Sequence, residues 1–181
     1  MRFRIILLPA SNTKPHLITW QPFRFFMARV QTICITGHQP NKLGGYKINE
    51  TATWVKGRLE QAIDRAIKRG AVAFISTGTL GVGQWAAEII IKRKKNPVKM
   101  PAGEIKLIIA QPFELPSSRW PVEARRAYEK NLQKADKIVL VNDGQYAAFK
   151  IQKRNEWMVD HSDAVIAVWD GSEGEVSNFI N

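Results

Sequence analysis

The chain has 181 residues, of which 45% are hydrophobic and 24% are charged. This balance is typical of one globular domain with its own core, and it excludes a disordered chain. The single cysteine, Cys34, excludes an intramolecular disulfide and a cysteine-rich zinc site, and it favours the reducing cytoplasm. No apolar run approaches the roughly 18 residues that a membrane-spanning helix requires.

The net charge of +11 arises in the first hundred residues. Residues 1–31 hold five basic residues and no acidic one, and residues 32–100 hold twelve basic and four acidic residues. Residues 101–181, with ten basic and twelve acidic residues, are slightly acidic. The densest basic cluster consists of Lys92, Arg93, Lys94 and Lys95. Such a field favours anionic partners, either nucleotides or nucleic acid, although a solvated helix end has the same composition.

We expect residues 1–31 to form a basic, poorly ordered N-terminal extension. The apolar run after Arg4 is too short for a signal peptide and stops at Pro9. The aromatic residues that follow have no clear periodicity, and Met27 is therefore a candidate for the functional start of the chain. Secretion is not expected.

From residue 32 onward, short β-branched runs alternate with segments of helical composition. The strands are predicted at residues 32–36, 72–76, 105–110, 137–141 and 163–169. The helices are predicted at residues 51–69, 83–95, 121–135 and 149–160. Alternation of this kind implies right-handed βαβ units. We therefore predict that residues 32–181 form one α/β domain, a Rossmann-like, doubly wound, mostly parallel five-stranded sheet with helices on both faces.

In such a sheet, ligands bind in the crevice beyond the carboxyl ends of the strands, so the loops there form the candidate site. The loop after the first predicted strand contributes the residues Thr36, Gly37, His38, Gln39 and Pro40. Small residues let a ligand approach the backbone, and His38 can contact an anion. A plain turn is the alternative interpretation of this loop.

The loop after the second strand is rich in glycine and hydroxyl groups, and it leads into a helix. Its candidate residues are Ser76, Thr77, Gly78, Gly81, Gly83 and Gln84. Exposed N–H groups and the helix dipole make such a junction suitable for phosphate. The spacing of the glycines matches neither the dinucleotide-binding nor the Walker A motif, and a tight turn is the alternative.

Later segments add further candidate contacts. Arg119 and Trp120, after the third strand, can clamp a phosphate and stack on a base, although Trp120 can equally pack against the following helix. Arg154 and Asn155 in the fourth predicted helix are expected to face the same crevice. The loop after the last strand offers a carboxylate for a sugar hydroxyl and glycines for close approach, in the residues Trp169, Asp170, Gly171 and Gly174.

Four of these segments resemble the YpsA-like branch of the SLOG superfamily, which includes DprA and the LOG proteins. Residues 35–46 resemble the family's opening GHRP loop, and residues 76–88 resemble its glycine-rich segment. Residues 112–121 are similar to its third-strand loop, and residues 150–170 to its long block that contains RNxWMVD. The resemblance implies a bacterial or phage protein that binds a nucleotide or an ADP-ribose-like molecule in this crevice, with Glu88 among the contacts.

The chain departs from the family pattern at three positions of the crevice. Gln39 replaces an arginine, Gly83 replaces an aspartate, and Glu175 interrupts a GGT motif where phosphate oxygens are expected. The resemblance also implies that the domain is truncated at its carboxyl end. The glutamate of LOG-type hydrolases corresponds to Asn178, and the sequence does not position Glu173 or Glu175 to replace it.

The sequence therefore favours a nucleotide-binding regulatory or sensor domain without turnover. No cofactor, metal site or catalytic residue is predicted, and homo-oligomerisation is left open. Two alternatives also stay open. One is a phosphoribohydrolase-like enzyme that cleaves the N-glycosidic bond of a nucleotide. The other is a DprA-like binder of single-stranded nucleic acid that uses Lys92, Arg93, Lys94 and Lys95.

Overall fold

A computed structural model describes residues 3–9, 31–47, 49–95, 104–114, 120–144 and 146–180 of the chain. Within these ranges the strands are β1 (Arg4–Pro9), β2 (Thr32–Gly37), β3 (Ala73–Ser76), β4 (Lys106–Gln111), β5 (Lys137–Leu140) and β6 (Ala164–Trp169). The helices are α1 (Glu50–Lys68), α2 (Val82–Lys95), α3 (Val122–Lys134), α4 (Ala148–Asp160) and α5 (Glu175–Ile180). None of the helices in these ranges is long and apolar enough to cross a membrane.

The six strands form one sheet in the order β1-β6-β2-β3-β4-β5. The strands from β6 to β5 are parallel, and β1 pairs antiparallel with β6. This arrangement confirms the predicted Rossmann-like, mostly parallel sheet with helices on both faces. The predicted number of five strands is wrong by one, because β1 comes from the segment that we assigned to the N-terminal extension.

β1 is an edge strand that pairs with β6 along its whole length. An apolar run of this size is too short for a signal peptide, but it has the usual length of a strand, about five or six residues. Phe3, immediately before the strand, is buried in the core. The remainder of the predicted extension, residues 10–30 with the candidate start at Met27, lies outside the described residues.

Local sequence explains how a helix such as α1 covers the sheet. Asn49 caps its N-terminus, because the Asn49 side-chain oxygen accepts a hydrogen bond from the N–H of Ala52 (2.9 Å). Val55, Leu59 and Ile63 then recur at intervals of four residues and are fully buried. The helix therefore turns one apolar stripe to the sheet and its polar side chains to solvent.

The two faces of the sheet have separate cores. Side chains alternate along a strand, so Ile33 and Ile35 of β2 pack with α1 and α2, whereas Cys34 packs with Met158 of α4 and Phe179 of α5. Burial raises the pKa of the Cys34 thiol to about 11, which disfavours the reactive thiolate. Cys34 is therefore a core residue and not a nucleophile.

The chain changes direction across the sheet beside β2. Helices α1, α2 and α3 lead from β2 through β3 and β4 to β5, and α4 returns the chain to β6 on the other side of β2. The loops after β2 and β6 therefore diverge and leave a crevice at the carboxyl ends of these strands. Helix α5 packs on β2 and β6, the two strands that flank the crevice.

The contribution of β1 to the core can be measured with two alanine variants. Phe3 is 8% exposed and Leu7, on the same segment, is 51% exposed. We predict that Phe3→Ala lowers the free energy of unfolding by about 3 kcal/mol, because it removes a buried ring. Leu7→Ala should change it by less than about 1 kcal/mol. Urea denaturation of both variants measures these changes in the free energy of unfolding. Equally small changes in the two variants would contradict the packing of the β1 segment against the core.

Candidate functional site

Two loops meet at the carboxyl ends of β2 and β3, and glycines allow them to touch. The N–H of Val82 donates to the carbonyl of His38 (3.2 Å). A Cβ atom on Gly37 would lie 2.7 Å from the Val82 side chain, and one on Gly81 would lie 2.5 Å from the His38 carbonyl oxygen. A larger residue at either position would therefore push the loops apart. The loops that follow the first two predicted strands form one continuous side of the crevice.

The loop between β3 and α2 is held together by its own hydroxyl groups. The Ser76 hydroxyl donates to the carbonyl of Gly83 (2.7 Å) and accepts from the N–H of Gly78 (3.2 Å). The hydroxyls of Thr77 and Thr79 lie 2.9 Å apart. A Cβ atom at position 83 would lie 2.1 Å from the Thr77 hydroxyl, so the glycine at this position leaves room for Thr77. The loop ends at the N-terminus of α2, where the helix dipole favours an anion.

His38 and Asp170 join the carboxyl ends of β2 and β6. Nε2 of His38 lies 2.9 Å from Oδ1 of Asp170, and the two side chains are 9% and 1% exposed. The hydroxyl and the backbone N–H of Ser172 also donate to Oδ1, at 2.6 and 2.9 Å. Burial by itself raises the pKa of Asp170, but the hydrogen bonds from Ser172 and the neighbouring His38 outweigh it and lower the pKa to about 2. Oδ2 of Asp170 is buried and has no hydrogen-bond partner among the described residues.

Arg154, in the middle of α4, is a cation with only 2% exposure. Its Nε donates to Oδ1 of Asn155, and its Nη2 donates to Oε1 of Glu175, the first residue of α5, both at 2.9 Å. Nη1 is buried without a hydrogen-bond partner in the described part of the chain. Burial lowers the pKa of Arg154, and the charge of Glu175 opposes this effect. Glu175, which departs from the family pattern, is thus the counter-ion of Arg154, one of the predicted crevice residues.

Two buried polar atoms, one of Arg154 and one of Asp170, have no hydrogen-bond partner among the described residues. A buried polar group that lacks a partner costs free energy, and a ligand can remove that cost. Nη1 of Arg154 is a charged donor that suits a phosphate or carboxylate oxygen, and Oδ2 of Asp170 is a charged acceptor that suits a hydroxyl. Within the described ranges, no cluster of three or more His, Cys, Asp and Glu residues is arranged to hold a metal ion.

Two of the predicted contacts have structural partners. The Gln84 amide donates to the carbonyl of Ala124 (2.6 Å) and thereby links α2 to α3. The indole N–H of Trp169 donates to the carbonyl of Ser172 (2.7 Å) and closes the loop after β6. The polar groups of both side chains are therefore already engaged within the protein.

Two other predicted residues lie beside α3, and a third lies outside the described residues. The Trp120 ring packs edge-on against Tyr128, with ring centres 5.0 Å apart, at the start of α3. Glu88 lines a groove between α2 and α3. Arg119 lies outside the described residues, so its predicted partnership with Trp120 stays a prediction.

The remaining predicted residues shape the loops. Thr36 and Pro40 are buried, whereas Gln39, which replaces the family arginine, is exposed. Gly171 and Gly174 have positive φ angles of +89° and +140°, which a residue with a side chain rarely adopts. These glycines let the chain turn from β6 into α5 and so bring Glu175 to Arg154.

Sequence reasoning missed α5 and the pairing between His38 and Asp170. Helix α5 has only six residues, too few for apolar periodicity to reveal it, although an acidic residue at a helix start is a common signal. It also missed Phe3, whose ring meets the His38 ring edge-on at 6.1 Å. These contacts join residues that are far apart in the sequence, so no local pattern could have predicted them.

A doubly wound sheet with a glycine-rich loop, a buried arginine and a buried aspartate at its switch point defines a Rossmann-like α/β domain with a polar crevice. The model of the YspA SLOG family matches residues 33–181, and the chain belongs to this family. The match confirms the resemblance that the loop sequences indicated.

Relatives of known sequence agree with this assignment. An uncharacterized SPbeta prophage-derived protein, YoqJ, of Bacillus subtilis is 34% identical over 148 residues, which cover 74% of this chain and 82% of YoqJ. A UPF0398 protein of Halalkalibacterium halodurans is 30% identical over 143 residues, which cover 78% of this chain and 73% of the relative. A UPF0398 protein of Oceanobacillus iheyensis is 26% identical over 144 residues, which cover 78% of this chain and 74% of the relative.

We predict that Asp170 contributes to the loss of stability in acid. Its pKa in the folded state, about 2, lies below the ordinary value of 3.8, so the carboxylate stabilises the fold above about pH 4. This contribution is lost as the pH falls from about 4 to about 2. Asp170→Asn should therefore flatten the decline of the urea midpoint over this interval, whereas a change at the exposed Asp160, Asp160→Asn, should leave the decline unchanged. If the urea midpoint of Asp170→Asn declined as steeply as that of the wild type, this contribution of Asp170 to stability would be contradicted.

Proposed function

We propose that this protein is a regulatory or sensor domain that binds a nucleotide or a nucleotide derivative in the crevice without turning it over. The observation that carries the proposal is the buried guanidinium of Arg154. It has one carboxylate partner, Glu175, and one donor atom without a partner among the described residues. A buried cation in this condition is a natural site for a second anion.

Phosphate is the anion that best fits Arg154. The planar guanidinium offers parallel N–H donors that match two oxygens of a phosphate. The loop of residues 76–83 ends at the N-terminus of α2, whose dipole favours an anion. Helix α5, whose first residue holds Arg154, packs on the same strands that flank the crevice. These features support a phosphate that lies between α4 and the loops of β2 and β3.

Asp170 is the proposed contact for the sugar. A ribose hydroxyl is a donor that can satisfy Oδ2, the oxygen of Asp170 without a partner in the described ranges. The proposed contact for the base is Trp120, because its ring is only partly buried against Tyr128. A phosphate, a hydroxyl-bearing sugar and an aromatic base together describe a nucleotide.

Glu175 gives the proposed site its regulatory character. Two anions close to one guanidinium repel each other, by about 4 kcal/mol at 4 Å near a protein surface. An incoming phosphate therefore competes with the Glu175 carboxylate, and its displacement releases the start of α5 from α4. Binding is thereby coupled to the position of α5, since the ligand favours the state in which Glu175 has left Arg154.

The role of Arg154 can be tested against its neighbour on the same helix. Arg154→Met keeps a long side chain but removes the charge, and Lys153→Met removes a charge from an exposed position. Saturation at about 100 times the dissociation constant adds about 2.7 kcal/mol to stability, which a thermal-shift assay detects. We predict that AMP or ADP-ribose stabilises the wild type and Lys153→Met, and that this stabilisation is lost in Arg154→Met. An equal ligand effect in all three proteins would contradict the proposal.

Glu175→Gln separates a ligand site from a purely structural ion pair. Without the carboxylate, Arg154 loses its counter-ion, so the ligand-free protein should be less stable than the wild type. The same change removes the competing anion, so calorimetric titration should give tighter binding of the same nucleotide, by about fivefold or more for each kcal/mol of repulsion removed. Weaker binding together with lower stability would contradict competition between the two anions.

The same samples distinguish a sensor from a hydrolase. Chromatography of each nucleotide after incubation with the protein should recover it intact. Release of free base that disappears in Glu173→Gln or Glu175→Gln would instead establish the N-glycosidic hydrolase. Absence of any nucleotide effect on the wild type would contradict the proposed binding site itself.

A further inference from the structure

A second anionic site is indicated by a groove on the outer surface, between α2 and α3. The groove has a volume of about 500 Å³. Its charged lining residues are Lys92, Lys95, Arg126, Lys130, Lys134 and Glu88. We call it the α2–α3 groove. The groove thus brings five cations together with one carboxylate. Three of these cations come from residues 101–181, which are slightly acidic as a whole.

The structure separates the basic cluster at the end of α2 into structural and available cations. Arg93 donates to Asp64 (2.6 Å) and to Glu60 (2.7 Å), which fastens α2 to α1. Lys94 donates to Asp136 (2.5 Å), beside β5. These two cations are neutralised within the fold, so they are not available to bind an external anion.

Within the described ranges, the cations that line the groove make no ion pair as close as those of Arg93 and Lys94. Nζ of Lys92 lies 3.7 Å from Oε1 of Glu60, and the Lys92 side chain is 66% exposed. Burial, and then the neighbouring charges of Lys95 and Lys130, lower the pKa of Lys134. Like charges in a cluster repel one another and destabilise the fold. A polyanion bound to the cluster relieves this repulsion and therefore stabilises the protein.

The arrangement of the cations follows from helix geometry. Arg126, Lys130 and Lys134 are spaced by four residues, so they lie on one face of α3 about 6 Å apart along its axis. Lys92 and Lys95 occupy the facing last turn of α2. The groove therefore has cations along the whole of its α3 side and at one end of its α2 side, a pattern that suits a chain of phosphates better than a single one.

We propose that the α2–α3 groove binds the phosphate backbone of a single-stranded nucleic acid without sequence preference. Three of the cations form one row along α3, which suits the successive phosphates of a single strand. The described lining residues include no aromatic side chain on which a base could stack. Contacts to phosphate fix a strand but do not read its sequence. The groove is separate from Arg154, which lies on the other face of the sheet.

The test uses the full chain and a fluorescent oligothymidylate. A groove variant carries Lys95→Gln, Lys130→Gln and Lys134→Gln. A matched control loses the same charge at exposed positions outside the groove, with Lys47→Gln, Lys68→Gln and Lys137→Gln. Fluorescence anisotropy at several salt concentrations measures the affinity of each protein and its salt dependence.

Each phosphate contact to a single strand contributes about 0.7 to the slope of log affinity against log salt. The groove variant should therefore lose about 2 from that slope and bind roughly 100-fold more weakly at about 0.1 M salt. The control variant should stay close to the wild type, and Glu88→Gln, which removes the carboxylate of the groove, should bind more tightly. Thermal denaturation verifies the fold, since relief of repulsion should leave the groove variant at least as stable.

Three results would overturn the proposal. One is equal weakening in the groove variant and the control, which would indicate attraction to net charge alone. Another is binding of a duplex as tight as that of the single strand. The third is absence of oligonucleotide binding by the wild type at low salt. The thermal shift with AMP should be unaffected in the groove variant, so failure of this site is distinguishable from failure of the crevice.

Discussion

The pairing of a buried arginine with a carboxylate on a short helix links α4 to α5 and sets the charge of the crevice. Arg154 is enclosed in α4, and burial of a charge is costly unless an anion and hydrogen bonds compensate it. Glu175 supplies that anion and, in doing so, fastens α5 to the rest of the domain. A single side chain thus neutralises the core cation, contacts the start of the last described helix and lies next to Nη1, the donor to which the proposed phosphate would bind.

The two proposed anion sites follow from different properties of the same fold. The crevice arises where the chain changes direction beside β2, and its charged groups are buried and paired, as in the contact of His38 with Asp170. The α2–α3 groove lies on the outer surface, and its cations are exposed and mutually repulsive. Buried pairs discriminate by geometry and are weakly screened, whereas exposed cations attract any polyanion and depend strongly on salt. The first site suits a small ligand and the second a polymer.

The sequence predicted the domain from residue 32 onward well, because apolar runs and helical stripes depend on local spacing. It predicted neither β1, which pairs with β6 at the other end of the chain, nor α5, a six-residue helix that packs on β6 and β2. For the site, it proposed Arg154 and Asp170 as candidate contacts and noted Glu175 as a departure from the family pattern. It did not predict that Arg154 pairs with Glu175 or Asp170 with His38, since pairing is decided by folding. The row formed by Arg126, Lys130 and Lys134 was readable from its spacing, yet only the structure brings it opposite Lys95.

A crystal structure of the protein with a bound nucleoside monophosphate would show whether a ligand competes with Glu175 for Arg154. We predict a phosphate oxygen within hydrogen-bond distance of Nη1 of Arg154, with the Glu175 carboxylate turned away and the start of α5 displaced. A nucleotide bound elsewhere, with the contact between Arg154 and Glu175 unchanged, would contradict it.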